Sequence, residues 1–371
     1  MVKNIKIVTF QRAHNYGAVL QAFALKKKLE NNNYLVSIVD YRNKIIELQY
    51  NPNKIFMPNL KWTVKKLVDK FRYDKLNKLR YKNFNEFIED NFNLTERIDN
   101  FNNFEKKINN HDIVISGSDQ VWNCNITGGV DKIYTLETDK CSKKISYAAS
   151  IGSLDIASNE KDKLIYNISN FDSISVREES AKEFLDELIP LKDIYTVLDP
   201  TLLLTRIEWE NLINRKGNVP KQKYILAYMI KDDSEFYKIL NRVSDMTGLK
   251  IVHFDKQNKM YNSVLKCAYT SGPIDFVNLI KNSEYVVTTS FHATVFSIIF
   301  EKKFWVVPHK STGSRVIDLL KKFEISNRAV NSLEEFEKLN FDEDINYKNV
   351  NKILEKEREK SINWLIDAIE K

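Results

Sequence analysis

The sequence predicts an α/β protein made of two doubly wound lobes. Three observations carry that prediction. The chain opens on a strand–loop–helix–strand unit. Later apolar runs in the first half each end in a cluster of polar residues. A second series of strands and helices begins past residue 205. Strands that alternate with amphipathic helices form open sheets covered on both faces.

At 371 residues the chain has room for two domains of ordinary size. Hydrophobic residues make up 43%, enough for real cores, and the 29% that are charged give a heavily solvated surface. The net charge of +7 permits an anionic ligand without requiring one.

Residues 5–10 alternate like a first strand. The loop through Asn15 and Gly17 follows, and then Val19, Ala22, Phe23, Leu25 and Leu29 give one buried helical face. Residues 34–40 are the next strand. The loop has a single glycine and no GxGxxG fingerprint, so a nicotinamide or flavin site has little support.

Residues 54–82 hold ten Lys and Arg against Asp69 and Asp74, a charge of +8. Leu60, Val64, Leu67, Val68 and Phe71 fall on one helical face, with Trp62, Tyr73 and Tyr81 interleaved. Two readings are open. One is a helical insertion with a solvated face. The other is a basic amphipathic helix lying on an anionic membrane. Nucleic acid is not expected, because no recognition motif accompanies the charge.

The α/β rhythm then resumes. Residues 112–115 lead into Ser116-Gly117-Ser118-Asp119-Gln120-Val121-Trp122-Asn123, and residues 144–149 into Ser150-Ile151-Gly152. Residues 173–176 lead into Arg177 and Glu178, and residues 196–198 into Asp199-Pro200-Thr201. Four such strand ends are expected to converge on one crevice. Asp119 and Asp199 each have a second reading, as loop caps.

A segment with Trp209, Gly217 and Pro220 separates this series from strands near 223–230, 250–254, 284–289 and 304–307. The boundary is placed near residue 205. The apolar run Tyr285-Val286-Val287 hands over to Thr288, Thr289, Ser290, Phe291 and His292, then to an apolar helix from Val295. Such a junction suits a phosphate or carboxylate, because the helix start offers N–H groups and a positive dipole end. The alternative is that Thr289 or Ser290 simply caps the helix and His292 packs locally. From about residue 349 the tail reads as a long charged helix with Ile353, Ile362, Leu365, Ile366 and Ile369 on its apolar side.

The first strand lacks a continuous apolar core of signal-peptide length, and no run of about 18 apolar residues suggests a membrane span. Cys124, Cys141 and Cys267 form no CxxC pair. A disulfide framework or zinc site is therefore not expected, and the cytoplasm is the expected compartment. The five histidines are scattered, so no metal site is expected.

Several motifs occur together. They are Asn15-Tyr16-Gly17-Ala18-Val19-Leu20-Gln21, the stretch from Ser116 to Asn123, Ile145-Ser146-Tyr147-Ala148-Ala149-Ser150, Val176-Arg177-Glu178, Asp199-Pro200-Thr201 and Ser290-Phe291-His292-Ala293-Thr294. In this order and spacing the chain resembles the polysaccharide pyruvyl transferase family, over roughly residues 5–330. The resemblance implies two Rossmann-like lobes in a GT-B-like arrangement, with the active site in the inter-lobe cleft. Residues 1–205 would form the acceptor-side lobe, with a basic helical insertion at about 50–110. Residues 206–348 would form the donor-side lobe and residues 349–371 a C-terminal helix.

It further implies phosphoenolpyruvate as co-substrate and a sugar, free or lipid-linked, as acceptor in cell-envelope exopolysaccharide biosynthesis. No cofactor is implied. Arg177 matches the family's Val-Arg-Asp/Glu donor arginine, and His292 the histidine of its Arg-Leu-His stretch. Ser290 stands where the arginine of that stretch would be. Arg315, after Ser311-Thr312-Gly313-Ser314, is either a replacement for that guanidinium or a helix-surface arginine.

The expected donor set is thus Arg177, Ser290, Phe291, His292 and Arg315. The expected acceptor set is Asn15, Gly17, Ser118, Asp119, Gln120 and Trp122. His292 is the candidate general acid, because imidazole titrates near neutral pH, and Asp119 the candidate base. Two alternatives stay open: a GT-B-type glycosyltransferase using a nucleotide-sugar donor, and a membrane-associated scaffold supported by residues 54–82 alone.

Overall fold

A computed structural model describes residues 2–54, 60–213, 219–257, 260–309 and 313–371. Gly217, Ser311, Thr312 and residues 55–59 of the basic segment, singled out in the sequence, lie outside the described residues. The chain divides into two compact units. One comprises residues 1–74, 84–204 and 357–371, and the other residues 75–83 and 205–356.

The first unit holds strands β1 (Asn4–Val8), β2 (Leu35–Ile38), β3 (Asp112–Ser116), β4 (Lys143–Ala149), β5 (Ser173–Val176) and β6 (Ile194–Thr196). All pair in parallel, in the order β2-β1-β3-β4-β5-β6. Its helices are α1 (Tyr16–Asn31), α2 (Lys44–Tyr50), α3 (Leu60–Asn91), α4 (Phe101–Lys107), α5 (Cys124–Thr127), α6 (Ser158–Ser169) and α7 (Glu179–Leu188). Residues 75–83 of α3 belong to the second unit. Asn15 starts α1: its side chain accepts the Gly17 N–H, which brings the helix start forward to Tyr16.

The second unit holds α8 (Arg206–Ile213), β7 (Tyr224–Tyr228), α9 (Ser234–Thr247), β8 (Lys250–His253), β9 (Val264–Cys267), α10 (Pro273–Lys281), β10 (Tyr285–Thr288), α11 (Phe291–Ile299), β11 (Lys303–Val306), α12 (Ser314–Lys322) and α13 (Leu333–Glu337). Its parallel sheet runs β11-β10-β7-β8-β9. The long α14 (Tyr347–Glu370) begins in this unit, and its last part belongs to the first.

Three local expectations are corrected. The strand expected at 196–198 is β6, and it ends at Thr196. Val197 and Leu198 are instead the buried lead into a 3-10 turn, Pro200–Leu202, that Asp199 caps. The edge strand β9 was not expected, because its residues are half-buried to exposed and show no period-two pattern. The inward face of α14 is Val350, Leu354, Ser361, Leu365, Ala368 and Ile369, with Ile353, Ile362 and Ile366 half-buried at its margin.

Both sheets have a topological switch point. In the first, the chain leaves β1 toward β2 on one side and later continues through β3 on the other. In the second, β7 stands between β8 and β10 in the same way. Ligands in open α/β sheets bind outside the carboxyl ends of the strands at such points. The β1, β3 and β10 loops therefore stand at the two switch points.

Candidate functional site

At the carboxyl edge of the first sheet, one hydrogen-bonded chain joins the ends of β1, β3, β5 and β6. Gln21 Nε2 donates to Thr9 Oγ1 at 2.8 Å, and Thr9 Oγ1 donates to the Ser118 carbonyl at 2.8 Å. Ser118 Oγ donates to Asp199 Oδ2 at 3.2 Å, and Arg177 Nη1 donates to the same oxygen at 2.9 Å. Arg177 Nε donates to Glu178 Oε1 at 3.0 Å. The other Asp199 oxygen accepts from Thr201 Oγ1 at 2.6 Å and from the Thr201 N–H at 3.0 Å.

Arg177 is buried, with its side chain 3% exposed. Burial pulls its pKa down, but the carboxylates of Glu178, Asp199 and Asp119 outweigh that and raise it. The guanidinium is therefore a fixed cation whose charge is already balanced by neighbouring acids.

Asp119 sits just past β3 with φ 77°, a left-handed conformation that Asp tolerates better than most residues. Its side chain accepts the N–H of Gln120 at 2.9 Å, and its carbonyl accepts the N–H groups of Val121 and Ser150. Gln120 Oε1 accepts from Asn123 Nδ2 at 2.7 Å. Both side chains press on Gly152, at φ 75°, where a Cβ would collide with them.

The structure therefore brings Ser118, Asp119 and Arg177 together, with Gln120 beside them. Asn15 and Gly17 form the capped start of α1, which packs on the Pro200–Leu202 turn. Trp122 is different. It is buried in the core, its ring meets Phe171 edge-on at 5.7 Å, and its Nε1 donates to the Tyr134 carbonyl at 3.3 Å. That corrects its expected place on the acceptor side: its indole is a core anchor for the loop.

In the second unit, Thr288 Oγ1 donates to the Tyr228 carbonyl at 2.5 Å, and the Thr289 N–H donates to the same carbonyl at 3.1 Å. The β7 and β10 ends are thus fastened at the switch point. Ser290 is the N-cap of α11: its Oγ accepts the Ala293 N–H at 3.3 Å. The capping reading of Ser290 holds, and no charged group occupies that position. Phe291 and His292 open the helix, both at least nine-tenths buried, with their rings edge-to-face at 5.1 Å. The positive end of α11 is directed at this loop. Arg315 is half-buried in the first turn of α12.

Sequence reasoning missed Gln21 and Thr9. The available signal was a glutamine on the otherwise apolar inner face of α1, fully buried here, since a buried polar side chain calls for a partner. It also missed the pairing of Arg12, in the same β1 loop, with Asp40 just past β2 at 2.8 Å.

Two parallel-sheet units with polar clusters at their switch points define a class: two-lobed α/β proteins of Rossmann type. The family model for polysaccharide pyruvyl transferase matches residues 15–311, and the chain belongs to that family. No curated protein matches the sequence. Among solved structures, the chain is similar to the UDP-GlcNAc 2-epimerase of Neisseria meningitidis bound to UDP-GlcNAc. The identity is 10% with a TM-score of 0.50, covering 99% of each chain. It is also similar to the Methanocaldococcus jannaschii UDP-GlcNAc 2-epimerase in complex with UDP-GlcNAc and UDP, at 15% identity and TM-score 0.47, covering 100% and 99%. The glycosyltransferase SnogD of Streptomyces nogalater is similar at 11% identity and TM-score 0.44, covering 99% and 100%. At 10% identity the Neisseria likeness speaks to fold alone.

Proposed function

We propose that this protein transfers pyruvate from phosphoenolpyruvate to a sugar of a cell-surface polysaccharide, or of its lipid-linked precursor, as a cyclic ketal. The observation that carries the reading is the buried Ser118–Asp199–Arg177–Glu178 network, beside the left-handed Asp119, in a member of this family.

In this reading a proton adds to the methylene carbon of phosphoenolpyruvate, and a sugar hydroxyl oxygen bonds to the adjacent carbon, giving up its own proton to a base. A second hydroxyl of the sugar then bonds to the same carbon as phosphate departs with the remaining proton. Sugar diol and phosphoenolpyruvate thus become ketal and inorganic phosphate, with no metal in the scheme.

His292 supplies the first proton and Asp119 accepts the hydroxyl proton. Arg177, the α11 start with Ser290 and Phe291, and Arg315 hold the phosphate and carboxylate of the donor. Asn15, Gly17, Ser118 and Gln120 serve the acceptor. The reaction belongs in the cytoplasm, with a lipid-linked acceptor presented at the inner face of the membrane.

Calorimetric titration tests the reading. Phosphoenolpyruvate is expected to bind, and phosphate release is expected to require a sugar acceptor. Binding of UDP-sugars with none of phosphoenolpyruvate would replace this reading with a nucleotide-sugar glycosyltransferase.

A further inference from the structure

The first part of α3 presents its apolar residues outward. Leu60, Trp62, Val64, Leu67, Val68 and Phe71 are exposed, Leu60 by 79% and Phe71 by 93%. At 100° per residue, the five aliphatic and Phe positions fall within an arc of roughly 100°, a continuous stripe. Lys61, Lys65 and Arg72 are exposed along one margin of it. Lys65 lies over the Trp62 ring, its Nζ 5.4 Å from the centroid.

The opposite face is the one that is seated. Thr63 is buried, and Lys66 Nζ donates to the carbonyls of Leu48 and Asn51 at the end of α2, the latter at 3.1 Å. Burial lowers the pKa of Lys66. The helix is thus held with its stripe facing away from the unit's own core. The chain breaks helical geometry at Tyr73 (φ −133°), so the stripe ends there.

Soluble proteins rarely expose a contiguous stripe of this kind without a partner. Among the described residues no helix is long and apolar enough to cross a membrane, so this one does not span.

We propose that residues 60–72 dock the protein on an anionic lipid bilayer, the stripe lying at the acyl boundary and Lys61, Lys65 and Arg72 at the headgroups. The charge decides between occupants. Residues 60–72 carry five basic side chains against the single acid Asp69. Two copies meeting through this face would set like charges against each other, whereas an anionic bilayer neutralises them. The docking goes beyond the transferase reading and rests on the helix surface alone.

The test is sedimentation of the full chain with phosphatidylcholine vesicles, with and without 30% phosphatidylglycerol (about the anionic content that gives a substantial surface potential), at low and high salt. The wild type is expected to pellet with the anionic vesicles only, and less at high salt. The triple variant Lys61→Glu, Lys65→Glu, Arg72→Glu is expected to partition about a hundredfold more weakly. Leu67→Ser with Phe71→Ser, both exposed and not expected to unfold the chain, is expected to lose binding at every salt. Thermal melts check that each variant stays folded. Wild type that stays in the supernatant at low salt overturns the proposal. So does a dimer in sedimentation velocity that the serine pair dissolves while vesicle binding persists. Phosphoenolpyruvate binding is measured separately, so either reading can fail without the other.

Discussion

Arg177 and Asp199 meet at 2.9 Å at the carboxyl edge of the first sheet, both side chains almost fully buried. They come from the ends of β5 and β6, and Asp199 also caps the turn that follows it. Removing one partner of a buried pair leaves the other charge uncompensated. Asp199→Ala is therefore expected to cost about 3 kcal/mol of stability, near the lower end for a broken buried pair because Glu178 still holds Arg177. Urea denaturation checks this. A loss under about 1 kcal/mol would mean that the pair is solvated in solution.

Arg177→Ala separates structure from function. Under the proposed function it weakens phosphoenolpyruvate binding by about 1.5–3 kcal/mol, the scale of a charge-assisted hydrogen bond. The readout is calorimetry on protein shown by circular dichroism to be folded. Unchanged donor affinity would restrict Arg177 to a structural cation balanced by its three acids.

Much of the fold was legible because hydrophobic periodicity is local. The runs at residues 5–10, 112–115, 144–149 and 173–176 all contain parallel strands, and their polar ends share one sheet edge. The candidate site was legible as strand–loop junctions, not as pairs. Arg177 and the stretch around Asp119 stood out as motifs, but the partners of Asp199, Ser118 and Arg177, lie far away in sequence. Only strand order brings them together. Trp122 misled because an aromatic in a polar motif reads equally well as a sugar platform and as a core residue. Its Phe171 and Tyr134 contacts decide for the core.

Asp40 gives a pH prediction. Burial pushes its carboxyl pKa up, and the guanidiniums of Arg12 and Arg42 more than offset this, leaving it below the ordinary value. A depressed folded-state pKa contributes stability that is present above the unfolded value, about pH 4, and is lost as pH falls through the folded one. Asp40→Asn is therefore expected to be less stable than wild type at pH 7. The gap should narrow as pH falls below about 4. Chemical denaturation at pH 7, 4 and 3 (roughly spanning that window) measures it, and a gap that is constant with pH contradicts the assignment.

Gly152 offers a test of the loop that carries Gln120. At φ 75° an added Cβ is strained and also meets Gln120 Oε1 and Asn123 Nδ2. Gly152→Ala is expected to destabilise by about 1–3 kcal/mol and to displace Gln120. If Gln120 serves the acceptor, the variant raises the KM for the sugar more than the KM for phosphoenolpyruvate. Equal changes in both would assign Gly152 to stability alone.

His292 decides the acid. It is the second residue of α11, nearly buried, at a strand–helix junction whose cap is Ser290 rather than a charged side chain. Under the proposed function its role is to give a proton to the methylene carbon, which binding of the donor does not require. His292→Asn keeps a polar side chain of similar reach and removes the imidazole. The expected result is near-normal donor affinity with turnover reduced by about 10²–10⁴-fold, the range for loss of a general acid. A thermal melt guards against a packing effect, since the residue is buried among α11's apolar neighbours. Near-normal turnover in a folded His292→Asn protein would take His292 out of the chemistry. A large loss of donor affinity with kcat preserved would instead make it a binding residue.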